Sequence, residues 1–180
     1  MDIRIRRAVL DDVPALTAFG ARTFEDAFAA GNTREDLTAY LAAAYGEGQQ
    51  RAEVVDSRIA TLIAEHGAEI AAFAQVRRGS DTPPCVATET PVELWRFYVD
   101  RPWHGTGLAQ QLMRAACDTA RELGGASVWL SVWERNPHAI AFYTKCGFAD
   151  VGVKSFQVGS DCQTDRVLVA PLGRHSERRF

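Results

Sequence analysis

The stretch His104-Gly-Thr-Gly-Leu-Ala109 places two glycines where an apolar, strand-like run gives way to a helix-like one. Glycines there either turn the chain cheaply or bring bare backbone N–H groups up to an anion. The first N–H groups of a helix lack partners and its dipole is positive at that end, so such a loop can hold a pyrophosphate. A Cβ would obstruct the backbone's approach to phosphate oxygens, and no acidic side chain lies between Trp103 and Leu112 to repel them. Two phosphate motifs fail on missing residues. A Walker A loop needs a Lys after its last glycine, and none follows Gly107. A dinucleotide fingerprint needs a third glycine where Gln110 stands, and a βαβ unit early in a parallel sheet. From these residues alone, a plain turn and an anion cradle both remain open.

The elements that would position this loop can be read from hydrophobic period. Ile3 and Ile5 alternate with arginines, predicting a strand at Asp2–Arg7. Asp11 and Asp12 before Pro14 start a helix carrying Val13, Leu16, Phe19, Phe24 and Phe28, which Gly31-Asn32 ends. Thr33 with Asp36 resembles a capping box for a second helix with Leu37, Tyr40, Leu41 and Ala44, and a short helix runs on to about Asp56. Ile59–Glu65 and Ala68–Arg77 form a hairpin across His66-Gly67, and Pro91–Val99 is a further strand. A helix over Gly107–Leu123 is closed by Gly124-Gly125, and Ser127–Trp133 alternates as a strand. Asn136-Pro137 caps and starts a helix that ends before Gly147, and Phe148–Phe156 and Thr164–Ala170 are the last strands. The predicted order is β-α-α-β-β-β-α-β-α-β-β, an α+β fold with a mixed, mostly antiparallel sheet of about seven strands and about four helices. Residues 1–172 form one domain, and 173–180 a polar, mobile tail.

Composition narrows the class. The 180 residues, 47% hydrophobic and 24% charged, suit one globular core. A net charge of −3 excludes a nucleic-acid backbone binder, whose footprint is basic; the arginines near each end are solvated surface. The longest apolar run, around Ile70–Val76, is far short of the ~20 residues a membrane span requires. Charge from Asp2 onward leaves no signal peptide to read. Cys85, Cys117, Cys146 and Cys162 form no C-x-x-C and no zinc spacing, so neither a metal nor a disulfide framework is expected. The chain reads as soluble, cytoplasmic and reduced.

The glycine loop gains meaning beside a second segment. His104-Gly-Thr-Gly-Leu-Ala109, a helix, a strand, then Asn136-Pro-His-Ala139-Ile-Ala-Phe142-Tyr143-Thr-Lys-Cys-Gly147-Phe148 resembles the GNAT superfamily of N-acetyltransferases. The resemblance spans about Ile3 to Leu172. His104 stands where that family has Gln or Arg, which puts the weight on the backbone. Thr23–Phe28, Asn32–Asp36 with Tyr40-Leu41, Val132–Asn136, Ser155–Gly159 and Gln163-Thr-Asp165 are similar to its PaiA-like branch, associated with polyamine acetylation.

The resemblance implies acetyl-CoA lying in a splay between Pro91–Val99 and Ser127–Trp133. Its pantetheine would pair with backbone near Phe97, Tyr98 and Val99, as an added strand does. The pyrophosphate would sit on the amides of Gly105, Thr106, Gly107, Leu108 and Ala109 beside His104. Asn136 would reach the pantetheine arm, cap its helix, or both, with Ala139 and Phe142 lining the same path. Tyr143 would be the general acid that protonates the leaving thiolate. Glu93, the one carboxylate on its strand and expected to share a face with Phe97 and Val99, is the candidate base, with a water relay as alternative. Phe24, Phe28, Tyr40 and Trp133 would wall the acceptor pocket, with Glu25, Asp26, Glu35, Asp36 and Glu134 supplying negative charge. Cys146 has no base beside it and is taken as structural. The implied activity is direct acetyl transfer to a primary amine of a small molecule, with a homodimer admitted. A protein or peptide N-terminal acetyltransferase and a non-catalytic acyl-CoA-binding module are the alternatives.

Overall fold

The structure, a computed structural model, describes residues 3–28, 33–158 and 161–173. Seven strands form one sheet in the order β1-β2-β3-β4-β5-β7-β6. They are β1 (Arg4–Arg7), β2 (Ile59–His66), β3 (Glu69–Arg78), β4 (Pro91–Val99), β5 (Ser127–Trp133), β6 (Ala149–Val158) and β7 (Asp161–Pro171). Every pairing is antiparallel except β4 with β5. Five helices flank the sheet: α1 (Val13–Phe28), α2 (Arg34–Ala44), α3 (Glu47–Val55), α4 (Leu108–Glu122) and α5 (Pro137–Lys145). The short run before Asp56 is thus a full helix, which raises the count from four to five. The last hairpin is longer than its apolar core suggested, because backbone pairing persists past the alternating residues to Val158 and Asp161. Asp2, the Gly31-Asn32 stop and the tail beyond Gly173 lie outside the described residues.

The sheet separates two cores. On one face α4 buries Leu108, Leu112, Met113, Ala116, Cys117 and Ala120, a helical stripe, against Ala64, Ala72, Ala74, Val92, Leu94, Val128 and Leu130. Alanines at 64, 72 and 74 let the helix come close, and each large apolar side chain so buried contributes about 1.5–3 kcal/mol. α5 joins that face through Tyr143 and Cys146. On the other face α1, α2 and α3 pack Leu16, Phe19, Phe24 and Leu37 over Ile63 and Phe73. Gly20 is forced by packing, since a Cβ there would meet the Tyr45 ring at 2.6 Å. Thr33 caps α2, its hydroxyl oxygen accepting the Asp36 N–H and its O–H bonding the Asp36 carboxylate, as the spacing predicted.

Arg6 fastens the edge strand β1. It donates to both carboxylate oxygens of Asp12, at 2.7 and 2.9 Å, and to Glu65 at 3.0 Å. Asp12 also accepts the Val9 N–H. The Arg6 guanidinium therefore holds the Asp12 carboxyl below the usual carboxylate range. A depressed carboxyl stabilises the fold above its unfolded value, about 3.9, and that contribution disappears as pH falls through the folded value. Asp12→Asn is expected to melt below the native protein at pH 7, with the gap closing as pH drops through about 4; thermal melts across pH 3–7 check this.

Candidate active site

β4 and β5 are in register only from Pro91–Ser127 to Glu93–Trp129, and then diverge. The cause is in β4. Gln75 and Val76 of β3 face Arg96 and Leu94, so Trp95 is an extra residue and the strand bulges. The bulge turns the side-chain alternation over. Val92, Leu94, Phe97 and Val99 face α4 and α5, whereas Glu93, Arg96 and Tyr98 face α1–α3. Glu93 therefore does not share a face with Phe97 and Val99, because uninterrupted alternation does not survive the bulge.

Asp100 N–H donates to Ala71 C=O, so Tyr98, two residues earlier, also spends its backbone groups on β3. Phe97 and Val99 point theirs the other way, into the splay. Tyr98 consequently offers the splay no backbone group; its ring stacks on Phe73 across the sheet. The Val99 carbonyl bonds His104 Nε2 at 2.9 Å, which ties the loop's first residue to the strand end.

The glycine loop needs glycine for its backbone. Gly105 and Gly107 have φ of 76° and 88°, and Gly107 is the residue that caps α4. A Cβ built on either meets nothing within 4 Å, so the space above the loop is open. Gln111 N–H is the first to reach back along the helix, to Gly107. Among the described residues, the N–H groups of Gly105, Gly107, Leu108, Ala109 and Gln110 precede it without backbone acceptors. Thr106 turns its hydroxyl to Trp103 C=O, and Leu108 buries its side chain as the anchor of α4.

Across the splay, Asn136 Oδ1 accepts the Ala139 N–H and caps α5. Tyr143, 8% exposed, stands one turn beyond Ala139 among Phe97, Phe142 and Phe148. Burial pushes its hydroxyl well above the ordinary tyrosine value and keeps it protonated. Phe142 stacks on Phe97 at 5.7 Å, joining α5 to β4 where the splay opens.

Phe97, Val99, Asn136, Ala139 and Tyr143 line one end of a cleft of about 630 Å³. Phe24, Phe28, Tyr40 and Trp133 line the other. Phe24 stacks on Phe28 and on Tyr40, both at 4.4 Å; Phe28 meets Trp133, and Tyr40 meets Phe156, at 5.8 Å. The two helices and the strand ends thus make one continuous aromatic wall.

A model of the acetyltransferase (GNAT) family matches residues 23–148. An uncharacterised N-acetyltransferase of Mycobacterium tuberculosis is 32% identical over 163 residues, 91% of this chain and 99% of that protein. The chain belongs to the GNAT acetyltransferase family. It is an N-acetyltransferase that draws its acetyl group from acetyl-CoA. A spermine/spermidine N(1)-acetyltransferase of Bacillus subtilis is 35% identical over 82 residues, 45% of this chain and 50% of that one. The solved PaiA N-acetyltransferase of Thermoplasma acidophilum, in complex with coenzyme A, shares the fold with a TM-score of 0.76 at 19% identity, over 95% of this chain and 99% of that one.

This GNAT chain fits acetyl-CoA on its own residues: the open space over positive-φ glycines, unpaired helix N–H groups and a strand edge facing a splay are what a pyrophosphate and an amide-bearing arm require. The acceptor end departs from the sequence reading. Of Glu25, Asp26, Glu35, Asp36 and Glu134, only Asp26 lines the cleft; Glu25, Glu35 and Glu134 are exposed, and Asp36 is engaged with Thr33 at the start of α2. The cleft instead carries Arg77, Arg96, Lys154, Glu93 and Asp165 at this end. Glu93, 3% exposed, is bonded by Arg77 Nε through Oε2. Trp95 lies between the Arg77 and Arg96 guanidiniums, 3.9 Å from each. Cys146 is buried, which raises its thiol and leaves it inert. No helix among the described residues is long and apolar enough to cross a membrane, and no group of metal-ligating side chains forms among them.

Phe156, Lys154 and Asp165 were missed as site residues, although Ser155-Phe-Gln and Gln163-Thr-Asp165 had been singled out as segments. Alternation along β7 would have put Asp165 on one face with Val167 and Val169, a lone carboxylate in an apolar row.

The floor of the acceptor end rests on buried charge. Arg96 bonds Glu53 of α3, Gln75 Oε1 and Ala44 C=O, and both charged side chains are almost fully buried. Glu53→Ala would leave the guanidinium buried without its counter-ion, at a cost of about 3–5 kcal/mol. Urea unfolding should show that loss as a lower midpoint.

Proposed function

We propose that this GNAT enzyme acetylates a primary amine of a small molecule, with polyamines as the leading acceptor class, by direct transfer. The observation that carries this reading is the aromatic wall of Phe24, Phe28, Tyr40, Trp133 and Phe156 opposite Tyr143 in one cleft. Ring faces of this kind favour a slender cationic or aliphatic amine over a peptide backbone, which needs strand-edge hydrogen bonds. The partial likeness to a spermine/spermidine acetyltransferase supports the same class.

We assign the roles from position and chemistry. The backbone of Phe97, the Val99 N–H and the side chain of Asn136 hold the pantetheine arm, with Ala139 and Phe142 packed alongside. The N–H groups of Gly105, Gly107, Leu108 and Ala109 hold the pyrophosphate, with His104 and Thr106 fixing the loop. Bound acetyl-CoA supplies an acetyl thioester activated towards amines. Tyr143, kept protonated by burial, donates its hydroxyl proton to the departing sulfur. Glu93 has one oxygen engaged by Arg77, so we assign the amine's proton to water in the open cleft, with Glu93 as a secondary acceptor. Residues 1–172 act together as the catalytic domain.

Two variants test these roles. Tyr143→Phe should lower kcat at least tenfold, read by release of free thiol from acetyl-CoA with a panel of amines, while calorimetric acetyl-CoA affinity holds. Unchanged turnover would point to a protein that only binds acyl-CoA, and turnover confined to peptides to an N-terminal acetyltransferase. Gly107→Val should remove measurable coenzyme A binding in the same calorimeter, because a branched side chain neither adopts φ of 88° readily nor leaves the loop open. Native-like affinity in that variant would displace the pyrophosphate from this loop.

A further inference from the structure

β7 carries a carboxylate that neither the fold nor the acetyl-CoA end of the cleft uses. Asp165 is 5% exposed and lies in register between Trp133 of β5 and Lys154 of β6, on the cleft side of the sheet. Ser131 hydrogen-bonds its carboxylate, yet Oδ1 is buried with no hydrogen-bond partner among the described residues. Native chains rarely leave a buried acceptor atom unpaired, and on a residue that lines a cleft such an orphan suits a donor that a ligand brings. Lys154, the cation whose charge bears on Asp165, does not fill it. Lys154 Nζ lies over the Trp129 ring, 5.4 Å from its centroid, and makes no ion pair with Asp165 among the described residues.

The surroundings select the ligand. Tyr40, Trp133 and Phe156 belong to the aromatic wall on the same side, and the Asp165 charge is felt at the Tyr40 hydroxyl. Burial raises the Asp165 carboxyl, Glu134 adds to that, and Ser131 and Lys154 oppose it. An orphaned anion among ring faces suits an ammonium on a short aliphatic chain.

We propose that Asp165 forms an ammonium subsite in which Oδ1 accepts a hydrogen bond from a protonated amine of the acceptor, with Tyr40, Trp133 and Phe156 packing on the adjoining methylenes. An ammonium paired to a carboxylate is held in its charged form and cannot attack a thioester. The amine that Asp165 holds is therefore not the one acetylated, and the acceptor carries at least two amines. This rests on the small-amine reading above and narrows it to diamines and longer polyamines.

The test is calorimetric titration of propane-1,3-diamine and of propylamine into the protein saturated with coenzyme A. The native protein should bind the diamine well above propylamine. Asp165→Asn should weaken the diamine at least tenfold and leave coenzyme A unchanged. Lys154→Met, which removes the competing positive charge, should tighten diamine binding. Equal diamine affinity in the native and Asp165→Asn proteins, no diamine binding by the native protein, or weaker binding after Lys154→Met would each overturn the subsite. Since binding is read without turnover, diamine binding that depends on Asp165 with no thiol release upholds the subsite and sinks the amine-transferase reading instead.

Discussion

Parallel pairing between β4 and β5 ends at Glu93–Trp129, and every backbone group beyond that point must find another partner or a ligand. An open strand edge inside a sheet is unfavourable unless something is meant to lie there. The bulge at Trp95 makes the opening and also decides what faces it. Phe97 and Val99 turn their backbone into the gap and their side chains toward α4 and α5, while Arg96 and Tyr98 turn to the opposite side. One inserted residue thus fixes the edge on which an amide-bearing arm can pair and the floor against which an acceptor can rest.

The floor is expensive by the standards of a protein interior. Arg96, Glu53, Gln75 and Gln50 are all buried, and they are joined by hydrogen bonds that reach from α3 across β3 to β4. Such a cluster is rigid because Glu53, Gln75 and Arg96 are each bonded to the other two, and Gln50 to Glu53 and the Ala44 carbonyl. Trp95, half-buried on the cleft side, is held by the Arg77 and Arg96 guanidiniums against its ring. The acceptor end is therefore shaped by groups that are not themselves candidates for chemistry.

The helices and strands were legible because their apolar period is strong: α4 shows it over four turns, and the Thr33 and Asn136 caps announce their helices. The glycine loop was legible for a related reason, since positive φ leaves few residue types to choose from. What could not be read was the bulge. Nothing in Glu93-Leu-Trp-Arg-Phe97 marks Trp95 as the extra residue, so simple alternation put Glu93 on the wrong face. The charge expected around the acceptor failed similarly. Glu25, Glu35 and Glu134 are near the wall in sequence but turn outward, whereas Asp165 arrives from a strand whose neighbours in space are β5 and β6. Long-range register, not local pattern, sets which charges meet.

The sheet also sets the terminal hairpin apart from the segment that the family model matches. The family match ends at residue 148, before β6 and β7 begin, yet Lys154, Phe156 and Asp165 all stand on that terminal hairpin. Under the proposed roles, Phe24, Phe28, Tyr40 and Trp133 lie in the same stretch as the grip on the acetyl donor, and only the hairpin's share of the acceptor end is written apart from it. Substitutions accumulating on the hairpin would redirect the enzyme to a new amine while its donor machinery is inherited untouched. Part of the choice of acceptor can thus change without touching the grip on the donor.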